Sequence, residues 1–169
     1  MRPRYLAFSI ATFLSLAADQ LTKVWARHTL MPIYPRTAKL IPGYWEFRYS
    51  ENPAAAFGLL RNVPGALYLF SLVAVGISVG SIFYLRKAEL QHPWRVGAWL
   101  GVIVGGALGN AFDRVAYHHV TDFVVWKIGT HEWDTFNVAD AALVVGIIGL
   151  LLFDSGRQKR KTAVATQGQ

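Results

Sequence analysis

Asp122 and Asp140 lie in a window that also holds Asn110, Asp113, Arg114 and Asn137, six polar residues within 31 positions, with apolar runs on both sides. An ionisable group at the centre of a membrane helix costs about 2.5–3.5 kcal/mol on insertion scales, so such a cluster needs a reason. Two carboxylates confined together cannot both ionise cheaply, and the pair keeps one proton. The ionised member can then take a proton from water while the protonated member donates to a carbonyl oxygen. That is amide hydrolysis without a covalent intermediate. Asp122 and Asp140 are the candidate catalytic pair.

Other chemistries fit less well. The chain has no Cys, which removes a thiol nucleophile, disulfides and thiolate metal sites together. No G-x-S-x-G occurs, and Ser71, Ser78 and Ser81 lie in an apolar run without a His. His118-His119, near Asp113 and Asp122, could bind a metal, but adjacent residues point apart on regular structure. Solvated loop histidines are the preferred reading, and no metal or cofactor is expected. Asp113 with Arg114, and Asp19 with Lys23 four residues on, also read as structural ion pairs.

The elements that must position these groups are membrane helices. Of 169 residues, 53% are hydrophobic and 16% charged, well under the quarter usual for a soluble domain. The net charge of +7 does not point to nucleic acid, because the basic residues flank apolar runs instead of sharing one face. Transmembrane helices are expected near 5–22, 65–85, 96–112 and 137–153 within a single domain, 1–156. A basic tail, 157–169, reads as disordered. A cleavable secretory segment ending at Ser15-Leu16-Ala17 is the alternative for the start, and the three further apolar runs favour a retained helix.

Lys and Arg concentrate at the start, between Arg86 and Arg95, and in the tail, which places both termini in the cytoplasm and the other two connections outside. All six Trp fall near expected membrane boundaries. Tyr44–Tyr49 alternates as a strand, with Trp45, Phe47 and Tyr49 on one side and Glu46 and Arg48 on the other. Val124–Phe136, with Gly129-Thr130 near its middle, reads as a hairpin. Gly101, Gly105 and Gly109 in the third helix, and Gly76 and Gly80 in the second, repeat at four-residue spacing and read as packing faces. At about 1.5 Å per residue, Asp19, Asn110 and Asp140 each lie roughly 21–22 Å from the cytoplasmic flank of their helices. Three helices thus contribute to one polar layer toward the outer leaflet, and Asp122 can fold back into it.

Five ordered blocks resemble the lipoprotein signal peptidase (signal peptidase II) family of bacterial inner-membrane aspartic proteases. They are Asp19-Gln20-Leu21-Thr22-Lys23, Asn52-Pro53-Ala54-Ala55-Ala56-Phe57, Gly105 through Arg114, Val120-Thr121-Asp122-Phe123, and Phe136-Asn137-Val138-Ala139-Asp140. The resemblance covers nearly the whole chain. It implies four transmembrane helices with a small extracytoplasmic β-sheet, the cradle, and an active site toward the periplasm. It implies that Asp122 and Asp140 are the catalytic dyad. Asn52, Asn110, Arg114 and Asn137 would line the site, supported by Asp19, Lys23 and Asp113. It implies cleavage of diacylglyceryl-modified prolipoproteins before the lipidated Cys. The expected partners are those substrates and membrane phospholipid, with no nucleic acid, and the expected state is a monomer. Two departures stand out: Ala54 takes the place of a usual Gly, and Pro53 precedes it; the extra methyl and the ring would narrow or stiffen the pocket edge, altering either substrate preference or loop geometry alone. A proton-coupled transporter and a noncatalytic membrane scaffold are the competing classes. The charges cluster on one side and no inverted repeat is evident, which disfavours transport.

Overall fold

A computed structural model describes residues 2–33, 35–53, 65–87, 90 and 92–154. Four helices carry the chain: α1 (Pro3–Thr29), α2 (Ala66–Lys87), α3 (Pro93–Tyr117) and α4 (Val138–Asp154). Between them run β1 (Thr37–Ile41), β2 (Trp45–Asn52), β3 (Val120–Ile128) and β4 (His131–Glu132). The strands pair antiparallel in the order β1-β2-β3-β4. Both α1 and α3 start with Pro in the first turn, where the missing N–H has no intrahelical partner to lose.

Helix α3 is the central element and packs against α1, α2 and α4. Its glycines make this possible. A Cβ at Gly105 would stand 2.6 Å from Ser15 Cβ and 2.7 Å from the Thr12 carbonyl oxygen, and one at Gly106 would stand 2.6 Å from the Ala139 carbonyl oxygen. The expected α3 packing face is therefore real, with α1 on one side and α4 on the other. The face expected on α2 is not: a Cβ at Gly76 or Gly80 meets nothing within 4 Å. Helix α2 instead turns Ala74, Ser81 and Leu85 inward.

By length and composition, Tyr68–Lys87 and Pro93–Tyr117 can each cross a membrane, and Val138–Leu152 is a shorter apolar helix. Helix α1 runs two turns beyond the expected 5–22. Its last turns are held by packing, since Ala26 and Leu30 bury against Tyr49 of β2 and Phe123 of β3. Trp25 adds edge contacts to Phe47 and Phe123. The Trp99 ring also packs over Gly149, between α3 and α4.

The expected strand and hairpin are present. Gly129, at φ 62, makes the turn between β3 and β4, and Val124 bridges to Phe136. The alternation in β2 holds only in part. Phe47 and Tyr49 join the core, but Trp45 stays 41% exposed and Glu46 is buried. A register shift between Phe47 and Ser50 breaks the simple period. The polar face forms an ion-pair cluster in which Arg48 and Lys127 each bond Glu46 and Glu132. Hydrogen bonds from Arg48 and Lys127 hold the Glu132 carboxyl well below its usual range, at about 2. The calls on Ala54–Phe57 and on the 157–169 tail fall outside the described residues.

Substituting Gly105→Ala should lower the thermal midpoint in detergent, because a methyl in a closed helix contact costs about 1–3 kcal/mol. Gly80→Ala, in open space, should leave the midpoint unchanged or raise it, since Ala outranks Gly in helix propensity by roughly 1 kcal/mol. Differential scanning of the two variants beside the wild type checks both.

Candidate active site

The site begins on α1. Asp19, Lys23 and Arg27 are spaced by four, so they lie on one helix face. Lys23 has no solvent exposure, and its ammonium is 2.9 Å from Asp19 Oδ2 and 3.3 Å from Asp113 Oδ2. It also donates to Asn110 Oδ1 at 2.9 Å. Both carboxylates are fully buried. Gly109 makes room for them: a side chain there would run into the Asp19 carboxylate. Gln20 closes the group, donating to Asp19 Oδ2 and to the Gly109 carbonyl.

Asp19 and Asp113 each reach a second element. The free oxygen of Asp19 accepts the Ala139 N–H at 2.9 Å, capping α4 from a different helix. Asp113 Oδ2 also accepts the Thr121 N–H at 2.9 Å, tying α3 to β3. The expected Asp113–Arg114 pair does not form. Adjacent helix residues point roughly 100° apart, and Asp113 turns to α1 while Arg114 turns the other way, its guanidinium 5.2 Å from the Phe70 ring centre. The Asp19–Lys23 pair does form.

Asp122 sits on β3, opposite Ser50 in the ladder, and is 2% exposed. Its two oxygens accept from Asn137 Nδ2 at 2.7 Å and Asn52 Nδ2 at 3.0 Å. Asp140 is the third residue of α4, and Asn137 is its cap. Asn137 Oδ1 accepts the Asp140 N–H at 3.0 Å and Asp140 Oδ2 accepts the Asn137 N–H at 3.1 Å, a reciprocal capping box. Asp140 Oδ1 takes a further bond, 2.8 Å, from Asn110 Nδ2. Asn137 Nδ2 also reaches Asn110 Oδ1 at 3.1 Å. The two carboxylates are therefore joined through shared asparagines.

Both open on one cleft of about 950 Å³, which Asn52, Asn110, Arg114 and Pro53 also line. Three aromatic side chains, Trp126, Trp133 and Phe136, line it as well. All nine expected site residues thus stand in one connected region, with Asp19, Lys23 and Asp113 behind the cleft and the other six lining or linking it. Neither Thr121 nor Arg27 was among the expected residues. Arg27 carried a readable signal, the four-residue spacing after Lys23, and Thr121 carried one as the neighbour of Asp122. His118 is exposed at the left-handed end of α3 and His119 stacks near Tyr117. Among the described residues no three His, Asp or Glu side chains gather as metal ligands.

A model of the signal peptidase (SPase) II family matches residues 11–155. This chain belongs to the signal peptidase II family. It is 35% identical over 162 residues to a lipoprotein signal peptidase of Xanthomonas campestris pv. campestris (strain 8004), covering 94% of this chain and 95% of that one. It is 38% identical over 157 residues to the lipoprotein signal peptidase of Xylella fastidiosa (strain 9a5c), covering 90% and 92%. A solved bacterial membrane enzyme superposes with a TM-score of 0.76 at 25% identity, covering 90% of this chain and 89% of that one. With these relatives and the apolar α2 and α3, the chain is an integral membrane protein of signal peptidase II type.

In this signal peptidase II chain, burial and the charge of Asp140 push the Asp122 carboxyl up to about 7, against the opposing bonds of Asn52 and Asn137. The folded state therefore binds a proton that the unfolded chain, with an ordinary value of 3.8, has released. The associated stability is full below the lower value and is lost as pH rises through about 7. Thermal midpoints should fall between about pH 5 and about pH 8.5, and the fall should be shallower in Asp122→Asn, which cannot titrate there. Melts at both pH values test this slope.

Proposed function

We propose that this chain is an intramembrane aspartyl endopeptidase that removes signal peptides from diacylglyceryl-modified prolipoproteins, cleaving before the lipidated Cys. The observation that carries it is the pairing of Asp122 and Asp140 on one cleft, each held on both oxygens by neutral N–H donors. Donors of this kind fix a carboxylate without neutralising it. With one proton shared, the pair carries a single negative charge, which Arg114 on the same cleft balances.

The ionised Asp takes a proton from water as the water oxygen attacks the scissile carbonyl. The protonated Asp stabilises the developing oxyanion. Collapse breaks the C–N bond, and the proton taken from water passes to the leaving amine of the lipidated Cys. No covalent intermediate or metal is called for. Asn110 and Asn137 hold the geometry, and Asn52 and Arg114 orient the peptide.

In this reading 1–156 form one domain, with α1 to α4 as four transmembrane helices and both termini in the cytoplasm, followed by a basic tail. The asymmetric Lys and Arg distribution supports that orientation. The sheet with its exposed Trp45, Trp126 and Trp133 then faces the periplasmic side of the inner membrane, where indole favours the lipid boundary. The enzyme works as a monomer in phospholipid, and the aromatic lining of the cleft suits the lipid-bearing side of the substrate. Pro53, also in the lining, stiffens the chain there.

Purified protein should cleave a diacylglyceryl-prolipoprotein in the presence of chelator. Asp122→Asn and Asp140→Asn should each lose about 10²–10⁴-fold in kcat while remaining folded, the range that general acid–base groups supply. Gel-resolved cleavage of a lipidated substrate measures this. Near-normal turnover by either variant would remove that Asp from the mechanism.

A further inference from the structure

Asp122 is held on its side chain by asparagines, but the strand that carries it must also be held. Thr121, the residue before it, is fully buried and gripped twice. Its N–H donates to Asp113 Oδ2 at 2.9 Å, and its hydroxyl accepts from Arg27 Nη1 at 2.8 Å. The same Arg27 nitrogen lies 3.6 Å from Asp113 Oδ1. The guanidinium itself is clamped, sitting 4.3 Å from the Tyr117 ring centre at the end of α3. Successive strand residues point to opposite faces. A grip on Thr121 therefore fixes the backbone from behind while the Asp122 carboxyl projects forward to Asn137 and Asn52.

We propose that Arg27 is a positioning residue for Asp122, acting through the Thr121 hydroxyl and never touching substrate. Among the described residues, Arg27 is not one that lines the cleft. Its guanidinium joins three elements: α1 through its own backbone, and, through Nη1 and the ring contact, α3 at Asp113 and Tyr117 and β3 at Thr121. A carboxylate that must share a water with Asp140 tolerates little displacement, and a misplacement of about 1 Å costs on the order of 10²-fold in rate.

The inference rests on the reading of Asp122 as catalytic, and the test separates the two. Thr121→Val removes only the hydroxyl and keeps the shape and the backbone bond to Asp113. With the lipidated substrate, Thr121→Val and Arg27→Met should each lower kcat roughly 10- to 100-fold with KM within about twofold. Both should shift a limb of the kcat–pH profile. The double variant should be no slower than the slower single, since both break one hydrogen bond. Arg27→Lys, which keeps one donor and the charge, should recover part of the loss. Wild-type kcat and an unchanged pH profile in Thr121→Val overturn the proposal, as do losses that multiply in the double variant. Should Arg27→Met fail to fold, Thr121→Val still decides. An active Asp122→Asn control would instead sink the catalytic reading itself.

Discussion

The Lys23 ammonium is the interaction on which the site is built. It is fully buried, and an ion moved out of water loses several kcal/mol of solvation even after the protein relaxes. Asp19, Asp113 and Asn110 supply three contacts of 3.3 Å or less in return. They come from two helices, α1 and α3, so the ammonium is satisfied only when those helices are docked in register. Breaking one partner of such a buried group costs about 3–5 kcal/mol, more than most single packing contacts. With Arg27 added, the cluster holds two cations and two carboxylates. The opposite charges are thus paired with one another within the apolar interior.

The neighbouring asparagines convert this charged anchor into a neutral frame. Asn110 Oδ1 accepts from Lys23 Nζ and Asn137 Nδ2, so its amide nitrogen has to face Asp140. The ammonium thus sets the orientation of the amide that completes its own shell. Asn137 repeats the device: its oxygen caps α4 and its nitrogen reaches Asp122 and Asn110. An amide supplies donor and acceptor without charge, so it can bind a carboxylate without fixing its proton as an ammonium in contact would. That explains why Lys23 stands one residue behind the cleft and Asn110 stands at it.

Much of this could be read from the residues, and the failures have physical causes. Asp19 and Lys23 at helical spacing, and the common depth of Asp19, Asn110 and Asp140, foretold a polar layer because helix geometry converts residue number directly into height. The α3 glycines foretold close helix contact for the same reason. Gly76 and Gly80 carried an identical spacing and no contact, since small residues permit approach without specifying which neighbour comes. Asp113 with Arg114 misled because adjacency in sequence is divergence on a helix. The extension of α1 to Thr29 was hidden by Lys23 and Arg27, which look like a loop until their buried partners on α3 and β3 are known. The strand at Val120–Phe123 was obscured by its polar centre, whose ladder partner Ser50 and asparagine donors lie far away in the chain.

The bonds that hold Asp140 are also those that start α4. Asn137, Asp140 and Asp19 satisfy N–H groups at the first turn that the helix leaves open. Helix α4 begins with Val138, and its length is almost wholly apolar, so apart from Asp140 its first turns carry no polar side chain of their own for those donors. Placing a carboxylate at the third position of the helix therefore relieves a cost that any buried helix start must meet. The same placement presents that carboxylate to the cleft beside Asp122. Structural and chemical demands coincide on one side chain. A substitution at Asn137 or Asp19 must loosen the helix start and the carboxylate together, because the fold has given both tasks to the same hydrogen bonds.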